Sequence, residues 1–260
     1  MKVVILTQQD YFFISENIQK VLTMREVEVP LVAVVNSKGS LINRKSYLLR
    51  GYGIIQGLKM GLTLIRRKLE DFLDTLSRYR LFKIKCSVQS VCRSNNIEFK
   101  IVNDPNATDF VNLLAEITPD IILSFSSPCV FKDDLLNVPK LGCINLHCSY
   151  LPNYAGLWPS FWYLFNGEVK GGATVHFMDN RIDNGKIISQ CEFKIQSNIT
   201  VFELIKKSKK FGGELVLESL QKLKDGSLEM KENKAEEGSY FSWPSLQEMK
   251  SFRKSGGKFI

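Results

Sequence analysis

Residues 108–125 read TDFVNLLAEITPDIILSF. Phe110, Val111, Leu113, Leu114 and Ile117 recur at helical spacing, and Pro119 cannot continue a helix. Asp120–Phe125, just beyond it, is a short apolar run of the kind that lies in a sheet covered on both faces. The same grammar extends outward. Val3–Thr7 and Leu31–Val35 read as buried strands, and Phe99–Val102 as a third. Ser15–Met24 and Val88–Asn95 suit helices between them. Strands alternating with helices predict an α/β fold built on a mostly parallel sheet.

Beyond residue 125 the strand content rises. Gly142–His147, Ala173–Met178 and Lys186–Ile195 read as strands, with a short aromatic helix at Trp158–Phe165. Thr200–Lys224 is a long helix: Thr200 and Glu203 stand at capping-box spacing, and Gly226 suits its C-terminal cap. Lys231–Gly238 reads as a polar loop and Tyr240–Ile260 as a tail with an aromatic cluster. The expected layout is a catalytic domain over residues 1–200 and a C-terminal helix and tail over 201–260.

The chain has 260 residues and a net charge of +8. Residues 44–85 hold eleven Lys or Arg against three Asp or Glu, so this one segment carries the whole excess. It reads as a basic helical insertion. Gly53, Gly57 and Gly61, four apart, would share a helical face, let another helix approach closely and offer a surface for a homodimer. A solvated face is the plain reading of its charge; an anionic ligand or the surface of an acidic membrane is the sharper one, and nucleic acid the least favoured. The N-terminal run is too short for a secretory signal and no transmembrane stretch is read, which places the protein in the cytoplasm. Six cysteines without a C-x-x-C pair and two histidines lack the spacing of a metal site, so no metal is expected.

The candidate chemistry begins at residue 145, in NLHCSYLPNYAG. Asn145 and His147 are two apart in a strand and share a face at its C-terminal end, where open α/β sheets place ligands. A second polar cluster, DNRIDNGK over 179–186, is first of all a turn, yet it could return Asp183 over the sheet end towards His147. An amide, an imidazole and a carboxylate together supply an oxyanion donor, an acid or base and an orienting charge. Each residue also has a bland reading: a satisfied structural histidine, a backbone-bonded asparagine, a turn aspartate. His176 is read as structural, and Cys129 and Cys148 as small fillers.

The ordered set N-x-H-x-S-x-L-P-x-Y-x-G, G-x-T-V-H-F-M-D and I-D-x-G, with Asp183 thirty-six residues after His147, resembles the folate-dependent formyltransferase family. The resemblance implies a Rossmann-like formyltransferase fold, 10-formyltetrahydrofolate as donor, no metal, and Asn145, His147 and Asp183 as the catalytic trio. It also implies a donor held between Pro128, Cys129, Val130 and Phe131 on one side and Asp179, Asn180 and Ile182 on the other. In the mechanism this implies, a protonated His147 and Asn145 stabilise the oxyanion while Asp183 holds the imidazole. Against the family, Thr7-Gln8-Gln9-Asp10 lacks the glycine-rich phosphate loop of the purine-pathway enzymes, Ala155 stands where arginine is common, and one helix and a tail follow residue 200. These differences point to an amino-deoxysugar nucleotide as acceptor, used for surface polysaccharide, with Tyr154 and Trp158 lining its side. Another amine, including methionyl-tRNA, a hydrolase using water, and a non-catalytic folate-binding protein are the alternatives.

Overall fold

The structure is a computed structural model that describes residues 1–36 and 44–260, with the side chains of residues 44–46 outside the description. In chain order the elements are β1 Val3–Thr7, α1 Ile14–Leu22, β2 Leu31–Val35, α2 Arg44–Tyr52, α3 Ile54–Leu76, α4 Val88–Ser94, β3 Glu98–Val102, α5 Thr108–Ile117, β4 Ile121–Phe125 and α6 Asp133–Leu136. Next come β5 Cys143–His147, β6 Ala155–Gly156, α7 Pro159–Phe165, β7 Lys170–Phe177, β8 Ile187–Lys194, α8 Val201–Asp225, β9 Tyr240–Phe241 and α9 Leu246–Lys254.

Seven strands form one sheet in the order β3-β2-β1-β4-β5-β7-β8. The first five are parallel, and β7 and β8 complete the sheet through antiparallel pairings. Every residue of β1, β2 and β4 is buried, because helices cover both faces. Val3, Ile5, Val32, Val34 and Leu123 meet α1, α4 and α8 on one face. Val4, Leu6, Ala33 and Ile122 meet α5 on the other. This is the mixed α/β fold that the alternation predicts.

Each helix beside the site is fixed by a local device. The Asp10 carboxylate accepts the amides of Phe12, Phe13 and Ile14 at 2.9, 2.6 and 2.9 Å, closing the N-terminus of α1. Thr200 and Glu203 complete the capping box of α8, and Gly226 ends that helix at φ +66°. Gly212 and Gly213 let α8 lie directly on the body: a Cβ at either would run into Leu146 of β5 or Asn17 of α1. The helix over 201–225 therefore covers the sheet beneath the site.

The tail holds a helix of its own: Ser245 and Glu248 form a second capping box and start α9, which packs on α2. The expected glycine face of the insertion is not a common surface. Gly53 caps α3 at φ +76° and Gly57 admits Leu49 of α2, while nothing approaches Gly61.

Candidate active site

β5 delivers Asn145 and His147 to the C-terminal edge of the sheet, and the antiparallel β7 sets His176 directly opposite Asn145. The loop after β7 then returns Asp183 to the same point. Gly185 makes this return feasible, since a side chain there would strike the Phe177 carbonyl. Asp183 sits in the left-handed region at φ 49°, as do Ser126, Tyr154 and Trp158 on the neighbouring loops at 57°, 59° and 55°. Four such non-glycine residues around one sheet end mark a place where packing holds the backbone in costly conformations.

Asp183 is the hub. Its Oδ2 stands 3.3 Å from His147 Nδ1 and accepts the Gly156 amide at 2.8 Å, while its Oδ1 stands 3.5 Å from His176 Nε2. Burial raises the pKa of this carboxyl, but the His147 and His176 rings and the Gly156 amide outweigh it and hold the group at about 2. It is a carboxylate at any working pH.

His147 is 7% exposed. Its Nε2 faces the Tyr154 carbonyl at 2.9 Å and its Nδ1 faces Asp183. Both partners can only accept, and a neutral imidazole carries a single N–H, so one of the two contacts lacks a proton in the resting state. Burial pushes the imidazole pKa below its ordinary value; the Asp183 charge and the Tyr154 carbonyl oppose this, and His176 and Lys209 reinforce it. Where the mechanism implied by the resemblance has His147 protonated from the start, this lowering by burial favours the neutral ring instead. A proton arriving there would turn the unmade contact into a charge-assisted hydrogen bond.

Two residues were missed in the sequence. His176 joins the cluster: its Nδ1 lies 2.6 Å from the Phe177 carbonyl, and its Nε2 lies 3.3 Å from the Asn145 amide nitrogen and 3.5 Å from Asp183 Oδ1. Lys209 of α8 is 7% exposed and donates from Nζ to Ser126 Oγ at 2.6 Å, at the end of β4. It has no carboxylate partner among the described residues. An ammonium this close disfavours a second positive charge on His147. Replacing Lys209 with methionine is expected to raise the acid-limb pKa of the rate profile, and an unshifted limb would remove Lys209 from the electrostatics of the site.

The other predicted site residues divide. Val130 and Ile182 are exposed on the loops after β4 and β7, with Pro128 and Cys129 half-buried beside Val130 and Asp179 and Asn180 preceding Ile182. Phe131 is a correction: its side chain is fully buried against Leu6, Phe110 and Leu135, so it offers no contact surface. Tyr154 is a second. Its ring packs on Tyr163 and Phe241 and its hydroxyl donates to Glu168 at 2.7 Å, so its part in the site is the backbone carbonyl that meets His147. Trp158 stacks on Trp243 at 4.7 Å, half-buried in the aromatic cluster below α7. Burial raises the thiols of Cys129 and Cys143, the latter to about 12, so neither supplies a thiolate. Among the described residues no cluster of three His, Cys, Asp or Glu could hold a metal.

A parallel sheet that presents an amide, a buried imidazole and an ionised carboxylate at one strand end defines an α/β protein with an acid–base site. The formyl transferase family matches residues 80–220, more than half of the chain, and the chain belongs to that family. It is 36% identical over 159 residues to the methionyl-tRNA formyltransferase of Clostridium tetani, covering 60% of this chain and 50% of the relative. Over 102 residues it is 43% identical to the bifunctional polymyxin resistance protein ArnA of Wigglesworthia glossinidia brevipalpis, covering 39% of this chain and 16% of the relative. The chain spans about half the length of the methionyl-tRNA formyltransferases it matches. In fold it is similar to an N-formyltransferase from Helicobacter canadensis solved with folinic acid and dTDP-3-aminofucose (TM-score 0.61, 22% identity, 93% of this chain and 71% of that one). It is similar too to glycinamide ribonucleotide transformylase 1 from Symbiobacterium toebii (TM-score 0.60, 18% identity, 90% and 92%).

Proposed function

We propose that this protein transfers a formyl group from 10-formyltetrahydrofolate to an acceptor amine, and that the acceptor is an amino-deoxysugar carried on a nucleotide. The observation that carries the transfer reading is the buried contact of His147 with Asp183 beside Asn145 at the end of β5. The residues present suit a folate. Val130 and Ile182 offer apolar surface on two loops at the sheet end, and the Asn233 amide, which donates to the Asp183 carbonyl at 2.8 Å, keeps a buried Oδ1 without a partner for an N–H donor. Bound there, the donor would supply an activated formyl group.

The chain's own groups do the rest. The Asn145 amide stabilises negative charge developing on the carbonyl oxygen. Neutral His147 would take the proton lost by the attacking amine, with Asp183 stabilising the imidazolium, and would return it to the donor nitrogen that leaves when the old C–N bond breaks. No metal and no covalent enzyme intermediate enters this scheme. Because the base must be unprotonated, the rate is expected to fall on acidification, with its midpoint below the ordinary histidine value.

Similarity over 93% of the chain to a structure solved with an amino-sugar nucleotide supports the sugar acceptor. The 36% identity to a methionyl-tRNA formyltransferase favours tRNA-linked methionine as the second reading. The test is release of tetrahydrofolate with a panel of amino-sugar nucleotides and with methionyl-tRNA, with Asn145→Ala as control. Release that needs an amino sugar and falls about 10²–10³-fold in the variant is expected. Release with methionyl-tRNA alone gives the second reading, and release without any amine gives a hydrolase.

A further inference from the structure

α3 is an amphipathic helix turned inside out. Ile55, Leu58, Leu62, Ile65, Leu69 and Phe72 alternate at spacings of three and four, the pattern of an apolar seam, and all six are exposed; Ile55 is 73% and Leu62 67% open to solvent. The opposite face, which meets the body, is polar. Asp74 is buried there, accepts the amides of Leu81 and Phe82 at 3.0 and 3.1 Å, and contacts Lys85 at 3.0 Å. Asp71 accepts from Ser90 Oγ at 2.7 Å, and Arg67 donates to the Tyr11 carbonyl at 3.0 Å. These bonds fix which way the helix faces.

Charge is segregated in the same sense. From Tyr47 to Ile84 every exposed ionised side chain is a cation: Lys59, Arg66 and Lys68 on the helix, Arg50 before it, and Arg78, Arg80 and Lys83 after it. The three acids of the segment, Glu70, Asp71 and Asp74, are half-buried or buried. A second copy of the helix laid on this seam would bring Lys59, Arg66 and Lys68 against their own kind with no exposed carboxylate of the segment to answer them. Among the described residues no helix is long and apolar enough to cross a membrane. An apolar stripe bordered by cations complements a surface that is anionic outside and hydrocarbon beneath.

We propose that α3 docks the protein on an anionic lipid bilayer, lying in the plane of the interface with its leucine, isoleucine and phenylalanine side chains among the acyl chains. The inference stands on α3 and its flanks and is independent of the transfer chemistry. It has a bearing on that chemistry: Tyr52, at the root of the insertion, lies 6.3 Å from the Trp158 ring, so docking would hold the loop beside Asp183 near the lipid surface.

The test is co-sedimentation of the full chain with phosphatidylcholine vesicles containing about 30% phosphatidylglycerol, and with vesicles of phosphatidylcholine alone. The wild type is expected to partition to the anionic vesicles. The Ile65→Glu/Leu69→Glu variant is expected to lose that partitioning about tenfold or more, with its helical circular dichroism and its turnover of soluble substrates kept. Lys59→Glu/Lys68→Glu is expected to lose the preference for anionic lipid. Failure of the wild type to bind either vesicle overturns the proposal. So does equal binding by the Ile65→Glu/Leu69→Glu variant. A stable dimer that this variant dissolves, with no vesicle binding, would overturn it too and assign the seam to a second copy.

Discussion

His147→Gln is expected to lower the rate of formyl transfer by about 10²–10⁴-fold, the range of a lost general base. Glutamine can still donate to the Tyr154 carbonyl, so the loop 150–158 keeps its anchor, but it cannot take a proton. The loss should fall on kcat, because both ring nitrogens face protein groups, Asp183 and the Tyr154 carbonyl, and the ring's proposed part is in proton transfer. The wild-type acid limb should vanish with it: the variant's residual rate should be flat from neutrality down to where the fold itself gives way. A steady-state pH profile of tetrahydrofolate release checks both points. A variant within a few-fold of wild type would remove His147 from the chemistry and leave it as a strut between Asp183 and Tyr154.

Asp183→Ala is expected to remove activity and to weaken the fold as well. The carboxylate serves two rings and the Gly156 amide at once, and among the described residues none of these has another carboxylate partner. Its pKa of about 2, against 3.8 ordinarily, corresponds to a native-state preference for the ionised form on the order of 2 kcal/mol. The sign is fixed by linkage. A depressed carboxyl pKa stabilises the native state above about pH 4, and the contribution is lost as the pH falls through about 2. His147, whose pKa is also depressed, adds loss in the same direction at higher pH, below its unfolded value near 6.5. Urea denaturation should therefore show the largest gap between wild type and variant near neutrality, closing as the pH approaches 2. A gap that stays constant would mean the variant fails through lost packing alone.

The sheet was legible because β1, β2 and β4 are buried on both faces, and such strands must be continuous apolar runs. The long helix was legible from its capping box. The same signature at Ser245 and Glu248 went unread, because the polar stretch after it masks the two buried residues, Met249 and Phe252, that α9 contributes to the core. The Asn145, His147 and Asp183 cluster could be anticipated from motif order. His176 could not, because every residue of β7 from Gly171 to His176 is buried, so the run shows no alternation that would reveal which way the ring faces. Lys209 left a faint trace: it falls in helical register with the buried Gly212, Gly213 and Val216, where a lysine is out of place. The periodicity of α3 was visible too, but periodicity states that a helix has two faces and not which of them meets the protein. The buried polar contacts of Arg67, Asp71 and Asp74 decide that.

The Asp10 cap also occupies the anion site that the first turn of the fold would otherwise offer. Three amides at the start of α1 converge on one oxygen of Asp10, so the spot where a helix N-terminus would welcome a phosphate already holds an anion supplied by the chain itself. The three amides are satisfied by a carboxylate that is covalently tethered and never diffuses away, so a redesign that sought to bind a phosphate ester at this turn would have to begin by replacing Asp10.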